Sequence, residues 1–257
     1  MKITDLPNGV CQFSDIEPHL LHTRNIVKIP QNAKSVICFL LPYYLGEQNY
    51  KDRNISRYAV VPDYHVVCMG LLTKYCDELK TLHPDFDFVP FVDNSPLPEV
   101  FTAVNCGLGF VGKNGLLINA VYGSYCFIGE IVTDMMIPPT EKCTLQCKNC
   151  GLCEKNCPEK ALKDGKVNTM LCLSSVTQTK KELTENQINA IENTGIIWGC
   201  DLCQELCPHN KNIPLTPILE FFDNKISTVT ENTDISGRAW EWRGQKVIDR
   251  NLKIIKN

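Results

Sequence analysis

Cys147-Lys-Asn-Cys150-Gly-Leu-Cys153-Glu-Lys-Asn-Cys157-Pro158 is the stretch on which the reading of this chain turns. Its spacing is that of the bacterial ferredoxin run, in which the fourth thiolate ligates the other cluster of a two-cluster protein. A second run, Cys200-Asp-Leu-Cys203-Gln-Glu-Leu-Cys207-Pro208, repeats the last part of the pattern. The short spacing lets successive thiolates point at one cubane from a tight turn, and the cysteine before proline is carried away to the neighbouring cubane. On that logic Cys147, Cys150 and Cys153 hold one 4Fe–4S cluster and Cys207 crosses over to complete it. The second cluster takes Cys157, Cys200 and Cys203. It is then one ligand short, because the position three before Cys200 is Ile197. Cys172, which alone lies between the runs, is the natural supply, and Cys143 stands outside the motif. Zinc competes for any CxxC pair, but two runs ending in Cys-Pro favour iron and sulfide.

Outward from the runs, the chain has 257 residues, 26 Lys+Arg against 29 Asp+Glu, and 15 cysteines. With 44% apolar and 21% charged residues it reads as a globular protein long enough to bury a sizeable core. No apolar run approaches the ~20 residues of a spanning helix, and the N-terminus lacks the apolar core of a signal peptide. A cytosolic location is therefore expected, where thiols stay reduced. A net charge of −3 argues against a broad electrostatic grip on nucleic acid. The six scattered cysteines, Cys11, Cys38, Cys68, Cys76, Cys106 and Cys126, need no function, since unpaired Cys packs as a small hydrophobe.

Residues 35–41 and 86–92 read as strands. Between them Tyr64, Cys68, Leu71, Tyr75 and Leu79 recur at helical steps. A second helix is expected from Ser95 as N-cap, with Pro96 at its first position, to Gly107. Residues 116–119 and 125–133 look like strands, and 134–140, with two prolines, like a linker. The fold expected is α+β: a mixed α/β domain over 1–138, a ferredoxin-like two-cluster domain over 139–215, and a helical extension over 216–257.

Gly107-Leu-Gly109-Phe-Val-Gly112-Lys113-Asn114 matches GxGxxG and nearly a P-loop, but both need a strand before and a helix after. Here a helix precedes and β-type sequence follows, so the glycines serve a turn or a close backbone approach to another large ligand. Asp93 ends a strand, at the rim where α/β sheets bind ligands. With Ser95 assigned to the cap, its carboxyl is left for chemistry, although an Asx-turn is an equal alternative. Tyr58 and His65 read equally well as a core residue and an ordinary helix residue.

Ser56-Arg57-Tyr58, Asp63-Tyr64-His65, Val92-Asp93-Asn94-Ser95-Pro96, the glycine segment, Gly123-Ser124, Gly129-Glu130, the Cys147–Cys157 run, Cys172-Leu-Ser174 and Gly199 to Pro208 fall in a familiar order. The combination resembles the epoxyqueuosine reductases, in a short form without the C-terminal helical-repeat domain of longer members. The resemblance implies two 4Fe–4S clusters as an electron relay, cobalamin as nucleophile, and removal of the epoxide oxygen from epoxyqueuosine in the tRNA anticodon loop. It implies the same eight cluster cysteines as the spacing, and places Asp93 on the catalytic proton donor. Cobalamin contacts are implied for Tyr58, Asp93, Lys113, Leu117, Asn119, Ile128 and Ser174. To act as an acid at pH 7, Asp93 would need burial to raise its pKa well above ~3.9. The basic residues Arg238, Arg243, Lys246, Arg250, Lys253 and Lys256 offer phosphate contacts or simply a solvated face.

Two other functions compete with reduction of epoxyqueuosine in tRNA. The same cofactors could serve a free small molecule, or the chain could be an electron-transfer protein with a docking domain. An external electron donor is expected, and no membrane partner.

Overall fold

The run Val36 to Leu41 is apolar at every position because the strand it forms is covered on both faces. In the computed structural model, which describes residues 1–256, that strand is β2 (Ser35–Pro42). It follows β1 (Asn8–Gln12) and pairs antiparallel with it. Next along the chain come the single turn α1 (Arg57–Val60), the long helix α2 (Tyr64–Leu82), β3 (Phe88–Val92) and α3 (Glu99–Asn105). A small ribbon of β4 (Phe110–Val111) and β5 (Leu117–Ile118) precedes β6 (Cys126–Thr133). The four-stranded sheet has the order β1-β2-β6-β3, with every pairing antiparallel. Pro90 is tolerated in β3 because that strand lies on the sheet edge.

Alternation sorts the sheet into two faces. Val36, Cys38 and Leu40 join Phe91, Leu97, Ala103 and Cys106 in one apolar cluster on the α3 side. On the other face Phe39 meets Tyr75 of α2 edge-on at 5.6 Å. Gly129 of β6 lies under α2, where a methyl would come within 2.8 Å of Leu72. The buried stripe of α2 is Cys68, Leu72 and Cys76, one position round from part of the stripe expected. Cys11, Cys38, Cys68, Cys76 and Cys106 are all buried, as small hydrophobes are.

Two local expectations are corrected. Ser95 does not cap α3, which starts four residues later after Pro98. Its hydroxyl instead donates to Glu130 at 2.6 Å and accepts the Leu97 amide at 3.1 Å, closing a turn before the helix. Residues 134–140 are not a loose linker: Ile137 and Thr140 are hydrogen-bonded to Gln12, Ser35 and Val10.

The glycine segment is explained by the protein's own backbone. Gly107 has φ +76°, and an added Cβ would lie 2.1 Å from the Glu141 carbonyl oxygen. At Gly109 it would lie 2.2 Å from that of Ile118. Backbone cannot yield as a flexible side chain does, so Gly109→Ala should cost about 3 kcal/mol. The check is the midpoint of urea unfolding, which should fall clearly below that of the parent.

Contact clustering divides the chain into two units. The first holds the sheet, α2 and α3: residues 1–42, 64–111 and 117–146. The second takes 43–63, 112–116 and the chain from Cys147 onward. It contains α4 (Leu152–Lys155), the hairpin β7–β8 (Leu162–Lys163, Lys166–Val167), α5 (Leu173–Gln178), α6 (Glu185–Thr194), α7 (Leu202–Glu205) and α8 (Gln245–Lys256). Leu173, Val176, Ala190, Ile191 and Ile196 form its apolar cluster, with Ile254 and Ile255 of α8 against it. Thr184 and Gln187 form a capping box at the start of α6, and Gly195 ends it in the left-handed region. Asn251 of α8 is fully buried and donates to the Thr177 and Ile197 carbonyls, both at 2.8 Å. The C-terminal end of the expected amphipathic stretch, Asn257, lies outside the described residues.

Candidate functional site

The cysteines of the two runs sit on tight turns beside one-turn helices. Gly151, in the left-handed region, turns the chain into α4, which carries Cys153. Asp201 precedes α7, which carries Cys203, while Cys157 and Cys207 each stand before proline. Cys172 is the residue before α5. All eight belong to the second unit, whereas Cys143 belongs to the first.

The electrostatics couple thiols within and between the two runs. Cys207 feels Cys147 and Cys150, more than fifty positions earlier in the chain. Cys200 feels Cys172 and Cys157, and Cys203 feels Cys200, Cys172 and Cys153. Cys153 feels Cys147. The thiols of Cys153, Cys200, Cys203 and Cys207 are all pushed up, first by burial, with Cys200 at about 12. A soft cation would have to displace those protons, as thiolate ligation requires. The Ala161 amide donates to Cys157 Sγ at 3.3 Å, the kind of bond that stabilises charge on a cluster's sulfur. The carboxylates within the runs are engaged elsewhere, Glu154 by Lys113 and Asp201 and Glu205 by Arg53, which leaves eight thiols, a donor set whose chemistry fits iron–sulfur cubanes.

Next to these cysteines lies a buried polar network. The Asp201 carboxylate is fully buried and accepts from Ser56 Oγ at 2.7 Å, the Arg57 amide at 2.6 Å and Gln204 at 3.2 Å. Arg53 pairs with it at 3.4 Å and also with Glu205. Burial raises the Asp201 pKa and Arg53 opposes that rise. Gly199 has φ +67°, and a Cβ there would meet Ser56 at 2.4 Å, so glycine is required where the second run begins.

In the first unit, Asp93 follows β3 and has φ +47°, with Asn94 at +40°. Two such residues without glycine store strain of about 1–3 kcal/mol each, of the sort that marks functional turns. His65 Nε2 lies 3.0 Å from Asp93 Oδ2, and the Tyr64 hydroxyl donates to the same oxygen at 3.5 Å. Tyr64 stacks on Phe127 with ring centroids 4.0 Å apart and on His65, so β6 steadies the pair from behind. His65 thus does more than occupy a helix face. It also heads an open groove of about 710 Å³ along α2, lined further by Val66, Met69, Gly70, Thr73 and Val92.

The electrostatics of Asp93 reverse the expectation. The hydrogen bond from His65 holds its carboxyl below the usual carboxylate range, outweighing burial, which acts the other way. The side chain is 56% exposed, too open for desolvation to win. The raised carboxyls are its neighbours. Burial, aided by the charge of Asp93, pushes Glu99 up to about 7, and Glu130, deeper still, lies well above its ordinary value. Neither was singled out as a titrating group from sequence. The sequence signal was slight: Glu130 stood beside Gly129 in the family-like order, and Glu99 lay inside the segment expected to be helix from Ser95 to Gly107.

The remaining candidates fall in both units. Tyr58, half-buried, accepts from Trp198 Nε1 at 2.9 Å. Lys113 pairs with Glu154 of the first cysteine run at 3.3 Å. Ser174 accepts from Gln178 at 3.4 Å on α5. Leu117 and Asn119 are buried, and Ile128 lies on β6 beside the apolar cluster. The Asn119 side chain donates to Leu108 at 2.7 Å and accepts the Val121 and Tyr122 amides, so it is committed to its own turn. Of the C-terminal basic residues, Arg238 is buried on the carbonyls of Val61 and Asn224, and Arg250 donates to those of Thr179 and Lys181. Arg243 stacks on Trp242, and Lys256 pairs with Glu231. These are structural uses of charge rather than an open stripe.

Comparisons with known proteins cover both the sheet-bearing and the cysteine-bearing parts of the chain. Residues 146–210 match the 4Fe-4S double cluster binding domain, and residues 24–94 match the DUF1730 region of epoxyqueuosine reductase. The epoxyqueuosine reductase of Lactococcus garvieae is 34% identical over 246 residues, 86% of this chain and 68% of that protein. An epoxyqueuosine reductase solved with an epoxyqueuosine-modified tRNA-Tyr stem loop superposes with a TM-score of 0.79 at 25% identity. So does the Bacillus subtilis enzyme solved with its catalytic aspartate loop swung out of the active site. Each alignment covers 97% of this chain and 76% of the neighbour. Among the described residues, no helix is long and apolar enough to cross a membrane.

Proposed function

Because the chain belongs to the epoxyqueuosine reductase family and carries its double 4Fe–4S domain, we propose that it reduces epoxyqueuosine to queuosine in the tRNA anticodon loop. It is an oxidoreductase whose clusters are held by Cys147, Cys150, Cys153 and Cys207, and by Cys157, Cys172, Cys200 and Cys203. The observation that carries the reading is the crossed neighbourhood of these thiols, together with the Asp93–His65 pair, in one chain. Cobalamin, when bound, supplies a strongly nucleophilic reduced cobalt for the epoxide, and the clusters supply its electrons one at a time.

By resemblance to the family, the residues proposed for cobalamin are Tyr58, Asp93, Lys113, Leu117, Asn119, Ile128 and Ser174. Tyr58 keeps a hydroxyl fixed by Trp198, and Lys113 a mobile cation tethered to Glu154. Opening an epoxide develops negative charge on its oxygen, and a proton must arrive there. Asp93 relays it from His65: as imidazolium, His65 passes its Nε2 proton to the carboxylate oxygen 3.0 Å away while the Asp93 carboxyl protonates the opening oxygen, leaving a neutral imidazole. The acid is therefore a pair holding a proton over 3.0 Å, and not a carboxyl made acidic-resistant by burial alone.

The test is nucleoside analysis of tRNA from a strain lacking the gene, with and without the plasmid-borne chain. Epoxyqueuosine should accumulate in the deletion and disappear on complementation. Unchanged queuosine in the deletion strain would refute the substrate, and absence of a cobalt spectrum after anaerobic reconstitution with cobalamin would refute the cofactor.

A further inference from the structure

The turn from Asp93 to Pro98 is tied to the first unit by two carboxyl groups. Glu99 Oε1 accepts the Asp93 amide proton at 2.8 Å, and Glu130 Oε2 accepts the Ser95 hydroxyl at 2.6 Å. A third tie runs from Asn25 Nδ2 to the Asn94 carbonyl at 3.0 Å. Glu130 and Ser95 are buried, so that end of the turn is anchored. The other end carries the two left-handed residues, and its backbone tie at Asp93 is the Glu99 bond.

We propose that Glu99 is the positioning residue of the Asp93 turn: its carboxyl accepts the Asp93 amide proton and so presents the Asp93 side chain, and gain or loss of its own proton closes or releases that turn. The inference rests on the reading of Asp93 as the acid only for what the turn is for. Its mechanics follow from the geometry.

The sign follows from linkage. Groups that face Glu99 are Asp93, whose charge disfavours the ionised form, His65, which favours it, and Glu130 and Cys38 behind. Burial is the largest influence and also disfavours the ion, so the closed turn holds the Glu99 proton up to about pH 7. An open turn that hydrates Glu99 would let it go near the ordinary carboxylate value of ~4.3. The closed turn is therefore favoured while Glu99 is neutral and is progressively released as pH rises through 7. A neutral carboxyl still accepts an amide proton through its carbonyl oxygen, so the bond survives protonation.

Residue-resolved hydrogen exchange of the Asp93 amide tests this on the full chain, without tRNA or cobalamin. After correction for the intrinsic pH dependence of exchange, protection should fall about tenfold between pH 6 and 8. Glu99→Gln, a permanent mimic of the neutral acid, should hold one level of protection across the range, at or above that of the parent at pH 6. Glu99→Ala should lose protection at every pH. The proposal is overturned if parent protection is flat with pH, or if the Gln variant tracks the parent. Should the Ala variant fail to fold, the Gln comparison alone decides. The readout involves no substrate, so a wrong substrate would leave this result standing, and a rigid turn would leave the substrate reading standing.

Discussion

Cys207→Ala should purify anaerobically with about half the iron and sulfide of the parent, and with no turnover, because one of the two clusters and with it the relay is gone. The residue lies in the second run, yet its thiol neighbours are Cys147 and Cys150 of the first. The loss should therefore coincide with that of Cys147→Ala. The double variant C147A/C207A should lose no more iron than either single change, since both remove ligands of one cubane. C200A/C207A should lose nearly all of it. If instead the first double variant empties the protein, the runs bind locally and the crossed assignment is wrong. Cys143→Ala, with its cysteine in the other unit, should leave iron content unchanged.

The second large effect is expected at Asp93. Asp93→Asn should lower kcat by roughly 10²- to 10⁴-fold, the usual worth of a positioned acid. Iron content should hold, because Asp93 is far more exposed than a core residue and its carboxyl is held in the turn by His65, Tyr64 and the Asn94 amide. Stability should carry a pH signature. His65 holds the Asp93 carboxyl below its ordinary value, so the pair stabilises the fold above the unfolded-state pKa of ~3.9. That contribution is lost as pH falls through the folded-state value. Parent and Asn variant should therefore differ in thermal midpoint at neutral pH and converge in strong acid. Activity within a few-fold of the parent would remove Asp93 from the proton path.

What the sequence disclosed and what it hid divide by range. The double-cluster domain over 146–210 is legible because its cysteine spacing is a local property: two or three residues between thiols, then proline. Cys172 could be placed by elimination, since no other cysteine lies between the runs. Strand β2 was legible because burial on both faces removes the polar alternation. Ser95 was misplaced because a serine before proline satisfies every local criterion for a cap, whereas its real partner, Glu130, is 35 positions away. The acidity of Asp93 was misjudged for the same reason. Its partner His65 is 28 positions back on another element, and how open the site is cannot be read from neighbours in the chain. At the glycine segment the order of helix, turn and β-type sequence was legible, but which carbonyls crowd it is a tertiary fact.

The division of the chain has a consequence for its birth on the ribosome. Everything the sheet-bearing half needs has been translated by residue 146, with 43–63 still unpartnered as an excursion. The cysteine-bearing half must wait for α8, whose Asn251 ties together the Thr177 and Ile197 backbones. Vectorial synthesis thus lets the sheet form early, while the metal-binding half is finished last. Starvation for iron should leave a species with a folded sheet and a protease-sensitive remainder.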